Sequence, residues 1–164
     1  MSFSSPDIVR VESDEQLDCA RTLFREYAAS AGADLCFQSF DKELAELPGE
    51  YAPPSGRLLL AFADGRAAGC VALRRIDAAR CEMKRLYARP EFRGCGIGRS
   101  LVTTIIAEAR SIGYGRMLLD TLPWMKEAIS LYRSFGFTET APYRHNPVEG
   151  ALFMELDLHS AGSA

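Results

Sequence analysis

Cys81-Glu82-Met83-Lys84-Arg85-Leu86-Tyr87-Ala88-Arg89-Pro90-Glu91-Phe92-Arg93-Gly94-Cys95-Gly96-Ile97-Gly98-Arg99-Ser100-Leu101-Val102 runs from an apolar, strand-like segment through a glycine-rich turn into a helical pattern. The strand is predicted over Cys81 to Tyr87, and the helix opens at Gly98 or Arg99. Leu101, Val102, Ile105, Ile106, Ala109 and Ile112 recur at helical spacing and make one apolar face. Gly113 and Gly115 stop the helix, and Arg116 to Asp120 returns as a strand. A strand, loop, helix and strand joined by a right-handed crossover give two parallel strands.

Upstream, the pattern is different. Arg57 to Ala63 and Ala67 to Arg75 flank Asp64-Gly65, a strong hairpin turn, and a second turn near Asp77 to Ala79 leads into the Cys81 strand. Three strands with no helix between them read as an antiparallel meander. Before it, Ile8 to Val11 is a short strand. Ser13 with Gln16 forms a capping box for a helix bearing Leu17, Ala20, Phe24, Tyr27 and Ala28, and Gly32 ends it. A further short helix spans Asp41 to Leu47, before the breaks at Pro48-Gly49 and Pro53-Pro54. Downstream, Pro123 precedes a helix over Met125 to Ser134, and Gly136 is placed to cap its end. Strands near Phe137 to Thr140 and Leu152 to Leu158 follow. The fold class is α+β with a mixed central sheet, in one domain over residues 1–158 with a loose polar tail at 159–164.

The 164 residues, 48% of them apolar, suffice for one core and are too few for two ordinary domains. The formal charge of -3 and the lack of a Lys/Arg run argue against nucleic acid or a membrane surface as partner. Met1 to Val11 lacks a leader pattern, and no apolar run approaches the roughly 20 residues that span a bilayer, so a cytoplasmic location is expected. Cys19, Cys36, Cys70, Cys81 and Cys95 show no C-x-x-C spacing and read as reduced thiols. His145 and His159 have no partner at ligand spacing, and no metal site is expected.

Between a strand and a helix, Arg93-Gly94-Cys95-Gly96-Ile97-Gly98 lets backbone amides approach an anion at a helix N-terminus, and a phosphate is the natural occupant. The plain alternative is a tight turn. A dinucleotide fingerprint would need glycine where Arg99 stands, although Asp120 at the end of the next strand imitates its ribose-binding acid. The loop also lacks the Gly-Lys-Ser/Thr of a P-loop.

This segment resembles the GCN5-related N-acetyltransferase (GNAT) superfamily. The signature Arg/Gln-x-x-Gly-x-Gly/Ala falls on Arg93, Gly96 and Gly98. Ala128-Ile129-Ser130-Leu131-Tyr132-Arg133-Ser134-Phe135-Gly136-Phe137 is similar to a second family signature, so the resemblance covers roughly Cys81 to Phe137. It implies a three-layer α/β/α fold with about four helices flanking the sheet. It also implies transfer of an acetyl group from acetyl-CoA to a small-molecule, amino acid or peptide amine by direct attack in a ternary complex, with no metal. Backbone at Leu86, Tyr87 and Ala88 would pair with the pantetheine arm, and the amides of Arg93, Gly94, Cys95, Gly96, Ile97 and Gly98, with Arg99 beside them, would hold the pyrophosphate.

By the same resemblance Tyr132 would protonate the departing thiolate and Glu82 would act as base. Tyr132 is otherwise a core tyrosine, and Glu82 an ordinary ion-pair partner of Lys84. Cys95 reads as a loop filler, and Met125 stands where many members carry asparagine. The acceptor is expected against Phe37 to Pro54 and Pro142 to Gly150, with Tyr51, Tyr143, Arg144 and His145 as pocket candidates and Arg144 suited to a carboxylate; a solvated loop is the alternative. A non-catalytic acyl-CoA sensor is the rival function, and a homodimer through the C-terminal strands the expected assembly.

Overall fold

The computed structural model describes residues 5–32 and 39–159; Cys36, Phe37 and the tail from residue 160 onward lie outside them. The described residues form β1 (Asp7–Arg10), α1 (Asp14–Ser30), α2 (Phe40–Glu46), β2 (Arg57–Ala63), β3 (Arg66–Arg75), β4 (Arg80–Ala88), α3 (Ile97–Ile112), β5 (Arg116–Thr121), α4 (Lys126–Ser134), β6 (Thr138–Glu139) and β7 (Leu152–Asp157). The strands make one sheet in the order β1-β2-β3-β4-β5-β7-β6. The first four form an antiparallel meander, β4 and β5 run parallel, and β7 lies antiparallel between β5 and β6.

Alternation along the strands creates two apolar layers. Leu58, Leu60, Cys70, Ala72 and Tyr87 pack with Ala20, Leu23 and Phe24 of α1 and Phe40 and Leu44 of α2. On the other face Leu59, Val71, Leu73, Met83, Met117 and Leu119 pack with Leu101, Val102, Ile105 and Ala109 of α3 and Tyr132 of α4. Helices thus cover both faces, giving three layers. At the start of α1, Ser13 Oγ accepts from the Gln16 amide at 3.1 Å and Gln16 Oε1 accepts from the Ser13 amide at 3.2 Å, closing the capping box.

The feature that positions the site is an interruption in the middle of this sheet. Parallel pairing of β4 with β5 covers only Arg80↔Arg116, Cys81↔Met117 and Glu82↔Leu118. Further along β4, Arg85 takes φ +62, and the register with β3 shifts between Ala72↔Lys84 and Cys70↔Tyr87. That is a bulge, which bends the strand and increases its twist. Arginine rarely occupies the left-handed region. Its side chain holds it there: Nε and Nη2 each donate to the Glu43 carboxylate at 2.9 Å, and the guanidinium lies over the rings of Phe40 at 5.1 Å and Tyr27 at 5.8 Å. Past Glu82 and Leu118, β4 and β5 separate, leaving a wedge open between them.

Candidate active site

Two cavities meet in that wedge. The larger is an open groove of about 750 Å³ walled by Leu86, Tyr87 and Ala88 at the end of β4, by Arg93, Gly94, Gly96, Ile97, Gly98 and Arg99 of the loop, and by Trp124 to Ala128 with Leu131. The smaller, about 50 Å³, lies deeper between β4 and β5, and Lys84, Asp120, Thr121, Tyr132 and Asn146 supply its polar wall. Tyr27, Leu86, Met125 and Ala128 line both.

The loop owes its shape to backbone geometry. Gly94 and Gly96 have φ +82 and +80, and a Cβ at either would meet nothing within 4 Å, so it is conformation and not crowding that requires glycine there. Gly96 caps α3 without a side-chain hydrogen bond, and the first bond of the helix runs from the Ser100 amide to Gly96 O at 3.0 Å. The Ile97, Gly98 and Arg99 amides precede that bond and are the donors a helix start presents to an anion. Exposed Arg93 and Arg99 flank them. The amides of Arg93 and Cys95 are already engaged, donating to Pro90 O and Phe92 O at 3.2 Å each. Cys95 does not reach the groove wall, and its side chain packs against the core.

Tyr132 is buried, with its ring 5.8 Å from that of Phe137, and it lines the small cavity. Burial, with smaller contributions from Tyr27 and Asp120, pushes its phenol well above the usual tyrosine range. Glu82 is fully buried and stands outside the cavity wall. Its Oε1 accepts from Arg74 Nε at 2.7 Å and faces Arg144 Nη2 at 3.5 Å, while its Oε2 accepts from the Tyr143 hydroxyl at 2.5 Å. Its cross-strand ion pair is therefore with Arg74, directly opposite on β3. Lys84, on the same face of β4, lines the small cavity, and burial lowers its pKa. Asp120 Oδ2 accepts from Asn146 Nδ2 at 3.1 Å.

Of the acceptor candidates, Tyr143 and Arg144 reach Glu82, His145 is exposed, and Tyr51 is a core residue set edge-on to Phe24. Tyr51 therefore belongs beneath the site, in the layer between α1 and the sheet. The described residues contain no grouping of His, Cys, Asp and Glu fit to hold a metal.

Behind the groove, Glu26 of α1 ties down the end of β4, accepting from Arg89 Nε at 3.0 Å, Arg89 Nη2 at 2.8 Å and the Tyr87 hydroxyl at 3.2 Å. The hydrogen bonds from Arg89 hold the Glu26 carboxyl below its ordinary value. A depressed folded-state pKa gives stability that is complete above the unfolded value, about 4.3, and is lost as pH falls through the folded one. In urea unfolding at stepped pH, wild type should exceed Glu26→Gln by about 0.2–1 kcal/mol near pH 7, the range for a partly exposed pair, and the difference should vanish in strong acid. An advantage that persists at the acid end would exclude the ion pair as its source.

A profile of the acetyltransferase (GNAT) family matches residues 19–137. An uncharacterized N-acetyltransferase of Schizosaccharomyces pombe is 43% identical over 160 residues, covering 96% of this chain and 98% of that one. The chain belongs to the GNAT acetyltransferase family. Its fold matches an acetyltransferase from Streptococcus agalactiae with TM-score 0.77 at 20% identity, over 94% of this chain and 99% of the other. It also matches an acetyltransferase from Salmonella typhimurium, solved with its cofactor acetyl-CoA, with TM-score 0.71 at 21% identity, over 96% of each chain.

Family and fold thus agree with the resemblance carried by Arg93 to Gly98 and by Ala128 to Phe137. In this GNAT acetyltransferase, Met125 at the position of the absent asparagine lines both cavities, and its Sδ accepts from Thr121 Oγ1 at 3.8 Å. Several wall residues carried no sequence signal. Tyr27 falls on the apolar face of α1 and looked like core, and Asp120 suggested only a ribose contact. Trp124, the exposed large hydrophobic residue at the groove rim, donates from Nε1 to Ala31 O at 2.8 Å and so joins the end of α1 to the start of α4. No described helix is long and apolar enough to cross a membrane.

Proposed function

We propose that this protein moves the acetyl group of acetyl-CoA to a primary amine, with both substrates bound at once. The observation that carries this reading is that the Tyr132 cavity and the groove are neighbours, with Tyr27, Leu86, Met125 and Ala128 lining both. A donor in the groove and an acceptor in the cavity would meet beside these four residues.

The groove suits the donor. Its volume of about 750 Å³ falls in the usual range for small-molecule sites. The Gly94, Gly96, Ile97, Gly98 and Arg99 amides, with the Arg93 and Arg99 guanidiniums, suit a diphosphate. Beyond Glu82, β4 has no ladder partner on its β5 side, so backbone at Leu86, Tyr87 and Ala88 is available to the amide-bearing arm. The Salmonella acetyltransferase that holds acetyl-CoA supports the same donor. Tyr132, its phenol kept protonated by burial, passes a proton to the departing thiolate.

Two measurements test the proposal. Calorimetry should show saturable binding of acetyl-CoA, and a thiol reagent should report CoA release with at least one member of a panel of primary amines and amino acids. Absence of acetyl-CoA binding, or binding of a nicotinamide nucleotide in its place, defeats it. Tight acetyl-CoA binding with no amine turned over would favour the sensor reading.

A further inference from the structure

We propose that Asp120 accepts the proton of the attacking amine, and that Glu82 instead clamps the 141–151 segment against the sheet as a positioning residue. This deepens the acetyl-transfer reading above and rests on it.

The two carboxylates share a face of the sheet, opposite the core positions Cys81, Met83, Met117 and Leu119, yet their surroundings differ. Both oxygens of Glu82 are occupied by Arg74, Arg144 and Tyr143, and its side chain does not border the cavity. Glu82 is thus turned to these partners and not to the cavity, and its contact with the Tyr143 hydroxyl anchors a segment whose Tyr143 ring lies edge-on to Phe153 at 5.5 Å.

Asp120 borders the same small cavity as Tyr132, on the part of β5 that has parted from β4. Its described hydrogen-bond partner is a neutral amide, Asn146, acting on Oδ2 alone, which leaves Oδ1 able to receive a proton from a molecule in the cavity. Asp120 is half-buried, so a captured proton has a route to solvent. Among the described residues, the charged and titratable groups around it are Lys84 and Arg85 from β4, Tyr27 from α1, Tyr132 from α4 and Tyr143 with Glu82 at the far side. Arg85 is neutralised by Glu43, and Lys84 lines the same small cavity as Asp120.

The step balances. An ammonium acceptor gives one proton to Asp120, directly or through a water, and the neutral nitrogen forms the C–N bond as the thioester C–S bond breaks. The nitrogen sheds a second proton, Tyr132 transfers its own to sulfur, and the phenol is reprotonated from that released proton. The products are the N-acetyl amine and CoA thiol, with one proton left to solvent.

The acceptor's own acidity supplies the test, because hydroxylamine is already neutral near pH 7 and needs no base, whereas an alkylamine with a lysine-like pKa of about 10.4 does. For the fastest alkylamine of the panel, Asp120→Asn should lower kcat/KM by about a hundredfold or more and abolish the acidic limb of its pH profile. Hydroxylamine turnover and the Kd for acetyl-CoA should each change by less than about fivefold, and Asp120→Glu should restore at least about a tenth of the alkylamine rate and the limb. Glu82→Gln should raise the acceptor KM about tenfold, keep the limb and hold kcat within about threefold. The proposal is overturned if Asp120→Asn keeps more than about a third of alkylamine kcat/KM, if hydroxylamine and alkylamine rates fall together with acetyl-CoA binding intact, or if Glu82→Gln alone removes the limb. Should Asp120→Asn fail to fold, Asp120→Glu decides: with the carboxylate moved by one methylene, alkylamine kcat/KM should fall to between about a tenth and a third of wild type while hydroxylamine turnover holds, and an undiminished alkylamine kcat/KM counts against the assignment. Failure of wild type to bind acetyl-CoA, or to acetylate any panel amine, instead defeats the acetyl-transfer reading beneath it.

Discussion

Tyr132→Phe is expected to slow acetyl transfer about a hundredfold at saturating substrates while changing the affinity for acetyl-CoA by less than about threefold. The split follows from what the substitution leaves in place. Phenylalanine fills the same volume on α4 and keeps the tilted contact with Phe137, so the walls of both cavities stay where they are. It removes only the hydroxyl, the group proposed to protonate the departing thiolate. Burial raises the phenol's pKa, so Tyr132 stays protonated throughout the neutral range and should add no basic limb there. Thiol-release kinetics set beside calorimetry distinguish the roles. Binding and turnover falling by equal factors would make Tyr132 a structural wall residue and nothing more.

A second large effect is expected far from the reacting atoms. Glu43→Ala should destabilise the fold by about 3–5 kcal/mol, because it leaves the Arg85 guanidinium buried and without its carboxylate. That side chain is 2% exposed, and both hydrogen bonds to Glu43 are 2.9 Å. The same pair keeps a non-glycine residue at φ +62, a conformation with an intrinsic cost of about 1–3 kcal/mol. Glu43→Ala combined with Arg85→Gly should therefore recover part of the loss, since glycine adopts the bulge without strain and leaves no buried charge. Urea unfolding of the two single variants and the double variant measures this coupling. A double variant no more stable than Glu43→Ala would mean that Arg85 does not carry the strain.

The elements were readable wherever the determinants are local. Arg57–Ala63 was expected from its apolar run and turn and is found with those bounds, and Ser13 with Gln16 announced the start of α1. The α3 start is one residue earlier than the nearest expected position, because its cap is a backbone conformation at Gly96 with no side chain to signal it. The loop before α3 could be read from its glycines, and the family from two spaced motifs. The wedge could not. It depends on an arginine in a left-handed conformation on β4 held by a glutamate from α2, and neither residue is unusual where it stands. The partner of Glu82 was hidden for a related reason. The bulge and turn fix the register that brings Arg74 opposite it, and residue spacing within β4 suggested Lys84. Tyr27 and Asp120 entered the site through tertiary packing, the first from an apolar helix face and the second from the end of an apolar strand.

The parting of β4 from β5 has a consequence for how the protein endures heat. A sheet missing part of its central ladder lacks hydrogen bonds that an extended, amide-containing guest can supply, so the proposed donor would complete the architecture while serving as reagent. Loading at about 100 times its dissociation constant would add about 2.7 kcal/mol to the folded state. Thermal tolerance would then rise and fall with the supply of activated acyl groups.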